Sequence, residues 1–303
     1  MRKSGVEGDV LSGAQQVGRR GFMRGAGMLG LGVAASGLNL VPVKAQAEER
    51  ESSAARQAEA AQSKDTVAEI LTAALIAEDL ATTFYYNALI GGVIQDVNLA
   101  GPGGTATKVT AAGNFGNVAY IRAALTEEIA HANLLRSLLG IPDAAKDPYQ
   151  TFYFPAGSFD TLSAFTGLLD ALENAFIGAY LNAVQEFALI AGNLRAGRGE
   201  DVARGSKYTA EQLDYFAKVA ASIMGVECEH RVLGRVISNS NPANNRLYEQ
   251  TDGLTVVYNG PHSAVVALTP FLTSSTGPAY SFAFALANQG SVSEPVEGGP
   301  PAF

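Results

Sequence analysis

Glu128-Ile129-Ala130-His131 and Glu227-Cys228-Glu229-His230 each set a carboxylate and an imidazole three residues apart. On a helix that spacing places both groups on one face. Each pair offers oxygen and nitrogen donors, so two pairs brought together can grip a metal cluster. The chain has 3 histidines in 303 residues, and two of them, His131 and His230, stand in this pattern. The third, His262, sits in a Gly-Pro-His turn and reads as a surface residue.

The two copies agree beyond the pair. Both read Glu-x-x-His-x-x-Leu-x-Arg: Glu128, His131, Leu134 and Arg136 in the first, Glu227, His230, Leu233 and Arg235 in the second. A partner segment precedes each copy. Glu78 is followed by Tyr85, Asn87 and Ala88, and Glu173 by Tyr180, Asn182 and Ala183, at equal offsets. The separations between copies are 95 residues for Glu78 to Glu173 and 99 for Glu128 to Glu227. An internal repeat of two related helix pairs accounts for this, so the fold expected is all-α, a four-helix bundle.

The elements that must position these groups follow from apolar periodicity. A first helix beginning near Ser63 or Asp65 carries Val67, Leu71, Ala74, Glu78, Ala81 and Tyr85 at alternating steps of four and three, the seam of a bundled helix. A second, over about 117–139, carries Ile121, Leu125, Glu128, His131, Leu135 and Leu138, and Gly140 with Pro142 stops it. Glu127, four residues before His131, competes with Glu128 for the ligand role. Glu128 is preferred because Glu227 keeps its offset. The aromatic, proline-rich segment 141–157 is long enough to cross the length of a bundle, with a short strand as an option. A third helix, capped by Ser158 or Asp160, carries Leu169, Glu173, Phe176, Tyr180, Ala183 and Phe187. Thr209-Ala210-Glu211-Gln212 is a capping box opening the fourth, whose seam is Phe216, Val219, Ile223, Glu227, His230, Gly234 and Ile237. Each helix thus buries one Glu, and a buried carboxylate costs several kcal/mol unless it is paired or ligates a cation.

The organisation expected is a leader over 1–47, a linker over 48–62, the bundle over 63–237 and an irregular C-terminal extension over 238–303. Within the extension, Leu254 to Tyr258 reads as a short strand and Ser263 to Leu272 as a short helix broken by Pro270. Phe271, Tyr280, Phe282 and Phe284 are expected to pack on the bundle, and the last dozen residues to be disordered.

The leader runs from basic to apolar to small-x-small: Arg19-Arg20-Gly21-Phe22, a Gly/Ala/Leu stretch to Val43, then Ala45-Gln46-Ala47. It resembles a twin-arginine export signal cleaved after Ala47, with an uncleaved membrane anchor as the alternative. That resemblance implies a periplasmic or extracellular protein, exported folded and with its metal already loaded. Cleavage leaves 15 Lys/Arg (21 less 6) and 27 Asp/Glu (29 less 2), a formal charge of −12. Such a surface argues against nucleic acid or anionic membrane as the main partner and suits metal cations. One cysteine, Cys228, excludes an intrachain disulfide and a Cys-x-x-Cys centre. It reads as a small apolar residue packed between helices.

Glu78, Glu128 with His131, Glu173, and Glu227 with His230 resemble the ligand set of the ferritin-like di-metal carboxylate proteins: one Glu from each of two helices, Glu-x-x-His from the other two. Over about 66–237 the chain is similar to exported ferritin-like domain proteins, a group that includes plant desiccation-related proteins. Ala171-Leu172-Glu173-Asn174-Ala175-Phe176-Ile177-Gly178-Ala179-Tyr180 and Glu227-Cys228-Glu229-His230 carry this closer likeness. The resemblance implies that Glu128 and Glu227 bridge two metals, Glu78 and Glu173 are terminal ligands, and His131 and His230 complete one metal each. Four carboxylates balance two divalent cations, and a donor set rich in oxygen with some imidazole suits iron or manganese.

The residues also admit blander roles. Glu78 and Glu173 are open to pairing with Arg122, Arg231 or Arg235. Tyr85 and Tyr180 read either as core residues or as hydrogen-bonding and redox groups beside the cluster. Arg136 and Arg235 read as last-turn charges or as groups holding carboxylates near the metal ligands. The function expected is a di-iron or di-manganese oxidoreductase acting on dioxygen, peroxide or Fe(II), with ferroxidase, peroxidase and catalase-like versions. The alternative is a non-catalytic, metal-stabilised protein protecting the cell envelope during stress or drying. Metal ions and small oxidants are the partners, no membrane span is expected after leader removal, and a homo-oligomer is left open.

Overall fold

The computed structural model describes residues 65–197, 208–240, 243 and 264–292. The expected leader, linker, strand at 254–258, His262 and terminal tail lie outside these residues. Four long helices make the frame: α1 Val67–Ile90, α2 Phe115–Leu139, α3 Leu162–Arg195 and α4 Ala210–Ile237. Around them lie β1 Thr151–Tyr153, α5 Ala264–Leu268, β2 Ala279–Ser281 and α6 Phe282–Asn288, with short 3-10 turns between. The architecture is an all-α four-helix bundle.

Helix ends follow local chemistry. Thr66 caps α1, its hydroxyl taking the Glu69 N–H while the Glu69 carboxylate takes the Thr66 N–H. This places the first turn after Asp65, because only Thr66 has an acid three positions on to close the box. Thr209 and Gln212 make the same exchange at α4. Helix α3 is capped by Thr161, not Ser158 or Asp160: the Ser158 hydroxyl is spent on the Pro155 carbonyl. Helix α2 starts at Phe115, two residues earlier than the apolar seam shows, because Asn114 supplies the cap. At its far end Gly140 adopts a left-handed conformation (φ 71°), letting the Ile141 N–H reach the Arg136 carbonyl.

Antiparallel packing of α1 with α2, and of α3 with α4, forms the two halves. The segment between α2 and α3 climbs back along α1. Asp147 meets Arg136, Phe154 meets Phe84, and the Phe159 carbonyl accepts the Val93 N–H at 2.9 Å beyond the end of α1. The approach there is close: a Cβ at Gly91 would sit 2.8 Å from the Phe159 carbonyl oxygen. The option of a short strand is realised, since β1 pairs antiparallel with β2 in the register Thr151↔Ser281, Phe152↔Tyr280, Tyr153↔Ala279.

The C-terminal segment therefore completes the core. Phe271 and Phe282 are buried and Tyr280 packs on Phe154 and Phe159. Phe284 is the exception, 58% exposed with only an edge contact to Tyr86, because it lies on the outer face of α6. Covered by α2, α3, the crossover and α6, α1 is buried all round, 18 of its 24 residues being inaccessible. Helix α3 is long and apolar enough to cross a membrane, yet half of its most apolar stretch is buried in the bundle. Two apolar clusters fill the interior. One joins the C-terminal half of α1 to the crossover and C-terminal segment, the other joins the N-terminal half of α1 to α4. The four glutamates lie where these clusters meet.

Candidate metal centre

One buried glutamate comes from each long helix: Glu78 from α1, Glu128 from α2, Glu173 from α3 and Glu227 from α4. Two histidines join them with Nδ1 turned inward. His131 Nδ1 lies 3.3 Å from Glu78, 3.7 Å from Glu128 and 3.4 Å from Glu227. His230 Nδ1 lies 3.1 Å from Glu128 and 3.3 Å from Glu227. The donors fall into two groups, Glu78–Glu128–His131–Glu227 and Glu128–Glu173–Glu227–His230, with the donor atoms of each within 4.8 Å of one another. Glu128 and Glu227 belong to both.

Packing alone leaves this layer unsatisfied. Glu78 Oε2, both Glu128 oxygens, Glu173 Oε2, Glu227 Oε1 and His131 Nδ1 are buried without an aligned hydrogen-bond partner. Buried polar atoms are normally paired, so six convergent orphans mark a place for a cation. Their types, carboxylate oxygen with imidazole nitrogen, fit iron or manganese.

The electrostatics tell the same story. Burial, with the charges of Glu128 and Glu227, holds the Glu78 carboxyl well above the usual range. Burial and Glu227 do the same to Glu173. Burial would also raise Glu128, but the imidazoles of His131 and His230 beside it overcome that penalty and hold the acid low. Against the burial penalty, Glu128, Glu227 and Glu78 push His131 up to about 12. His230 is likewise raised, by Glu127, Glu128 and Glu227. Without a cation the layer therefore keeps protons as substitute counterions, and a metal must displace them.

Two tyrosines brace the halves together. The Tyr85 hydroxyl on α1 donates to Glu173 of α3 at 2.6 Å, and the Tyr180 hydroxyl on α3 donates to Glu78 of α1. Both tyrosines are buried core residues, and each satisfies its hydroxyl on a carboxylate of the layer. Burial and the neighbouring carboxylates raise both phenols well above their ordinary value, so they remain donors.

The arginines do not pair with Glu78 or Glu173. Arg136 is buried between Asp147 at 2.6 Å and Asp79 at 2.7 Å, with the Phe282 ring 5.5 Å away. Arg235 holds Asp170 at 2.7 Å and Arg231 holds Asn174 at 2.8 Å. Arg122 reaches the Ala106 carbonyl. Arg136 and Arg235 are thus buried links, not exposed last-turn charges. Sequence reading missed Asp79 and Asp147. The one available signal was Asp79 falling inside an otherwise apolar stretch beside Glu78. Glu127 takes a third course, being 48% exposed and accepting from His230 Nε2 at 2.7 Å across the α2–α4 boundary. Cys228 is half-buried and free of disulfide.

Comparison with known families adds one result. Residues 66–192 match the ferritin-like domain family. The match takes in α1, α2, the crossover and nearly all of α3, less than half of the chain, and stops before α4 with Glu227 and His230. No curated protein and no solved structure matches the chain.

Proposed function

We propose that the chain is a di-metal carboxylate oxidoreductase acting on dioxygen, peroxide or Fe(II), in which Glu128 and Glu227, common to both donor groups, would hold iron or manganese together with Glu78 and His131 in one group and Glu173 and His230 in the other. The observation that carries this reading is the pair of donor groups sharing Glu128 and Glu227, lined with orphaned buried oxygens. Two adjacent redox metals supply the two electrons that cleavage of an O–O bond requires. The chain's own part is to hold the carboxylates through Tyr85 and Tyr180, to keep phenolic protons within the layer, and to keep bulk water out. Export through Arg19, Arg20 and Phe22 with cleavage after Ala47 belongs to this proposal, and places the reaction outside the cytoplasm.

The same enclosure favours a second reading, a metal-stabilised protein without turnover that protects the cell envelope in stress or desiccation. His131, at 12% side-chain exposure, is the most accessible of the six donors. Metal analysis of protein recovered from its native compartment, followed by Fe(II)-oxidation and peroxide-decay assays on wild type and a Glu128→Ala/Glu227→Ala variant, separates the two. Bound transition metal with turnover lost in the variant is the expected result. Stoichiometric metal without turnover selects the protective reading, and native protein without transition metal overturns both.

A further inference from the structure

The two halves of the centre are built alike except at the outer nitrogen of each histidine. His230 is 1% exposed, and its Nε2 meets the Glu127 carboxylate at 2.7 Å. This contact comes from the opposite helix pair, so α2 supplies both a donor, Glu128, and the group that orients the donor on α4. Repeat register assigns the equivalent of Glu127 to the residue before Glu227, which is Val226. Valine has nothing to offer an imidazole. Among the described residues no hydrogen bond reaches His131 Nε2, and that ring is 12% exposed.

A carboxylate on the outer nitrogen does two things for a ligating imidazole. It fixes the proton on Nε2, leaving the Nδ1 lone pair for the metal, and it raises the basicity of that lone pair. His230 receives both effects and His131 neither. Free His131 must choose its tautomer and ring orientation when the metal arrives. We propose that the two metal positions are inequivalent, Glu127 acting as a positioning residue that makes the His230 position fill first, while the His131 position is the weaker, exchangeable one. This inference rests on the di-metal reading above and specifies which half of the site turns its metal over.

Co(II) titration of the metal-free full chain tests it, followed by calorimetry and by visible absorption of the bound ion. Wild type is expected to bind two ions in steps separated by roughly 10–100-fold, the usual effect of an outer partner on metal affinity. Glu127→Ala is expected to abolish the tight step and, because it strands the Nε2–H of buried His230, to lower the metal-free melting temperature by roughly 2–12 °C with the fold retained. Glu127→Gln, which still offers an oxygen to Nε2–H, should recover part of the separation. Val226→Glu should strengthen the weak step toward the strong one. Nitrogen-15 NMR of the loaded protein should show a proton on His230 Nε2 that Glu127→Ala broadens by exchange. Two intrinsic site affinities within about threefold of each other in wild type, the statistical factor between the steps removed, overturn the inference, well short of the effect an outer partner has. So do unequal steps that Glu127→Ala leaves unmoved. In both cases the di-metal reading stands, whereas no Co(II) binding at all overturns that reading too.

Discussion

Tyr85→Phe removes a single oxygen from the middle of the bundle. The ring stays, so the packing of Tyr85 against Phe84 and His230 is retained and no cavity opens. What is lost is the 2.6 Å hydrogen bond to Glu173 Oε1. Glu173 Oε2 already has no aligned partner, so the substitution leaves both oxygens of a fully buried acid unsatisfied. Stranding a buried acceptor costs about 1–3 kcal/mol. For a folded unit of this size each kcal/mol lowers Tm by roughly 2–4 °C, so the metal-free variant should melt roughly 2–12 °C below wild type. Loaded with metal, Glu173 has a cation as partner and the deficit should shrink. The assay is thermal unfolding of wild type and Tyr85→Phe, each with chelator and with stoichiometric Fe(II) or Mn(II) under anaerobic conditions. An unchanged metal-free Tm would refute the reasoning, since it would mean the hydroxyl satisfies nothing. A deficit that does not shrink on metal loading would remove Glu173 from the ligand set. Tyr180→Phe, acting on Glu78, should behave alike.

Other outcomes follow from the same coordinates. The metal-free protein should lose stability as pH rises above 4.5, where the unfolded chain gives up the protons that the raised Glu78 and Glu173 still hold folded, and further above 6.5, where the same holds for His131 (pushed up to about 12). Metal-loaded protein should show the opposite trend and release its ions on acidification, which Tm and bound metal measured from pH 5 to 9 would check. Arg136→Met strands Asp79 and Asp147 in the core and should cost about 3–5 kcal/mol in urea unfolding. Glu186, raised to about 7 by burial and Asp65, loses its favourable proton between its ordinary value and pH 7. Glu186→Gln should therefore stabilise by up to about 3 kcal/mol at pH 8 and leave stability at pH 4 unaltered.

Much of the frame was legible because helices announce themselves locally. The four-and-three seams placed Glu78, Glu128, Glu173 and Glu227 on buried faces, and a capping box such as Thr209–Gln212 is complete within four residues. The Glu-x-x-His spacing carries both donors of a pair, so the two pairs were recognisable before any packing was known. Whether Glu127 or Glu128 faced inward was decided by comparing copies. The structure turns Glu128 into the layer and leaves Glu127 at the boundary.

What the sequence could not determine depends on distances across the chain. The exchange of Tyr85 to Glu173 and Tyr180 to Glu78 spans 88 and 102 residues, and no local pattern encodes which helix each tyrosine faces. Arg136 reads as an ordinary last-turn cation until the crossover lays Asp147 over it and α6 sets Phe282 beside it. The C-terminal segment lacks a seam of its own because β2 and α6 take their partners from β1 and α1. Repetition in the sequence points to six candidate donors and to their near symmetry. Tertiary packing turns a one-residue difference between the copies into an asymmetry: Glu127 of α2 reaches His230 Nε2, whereas repeat register sets Val226 at the equivalent place on α4 and, among the described residues, no hydrogen bond reaches His131 Nε2.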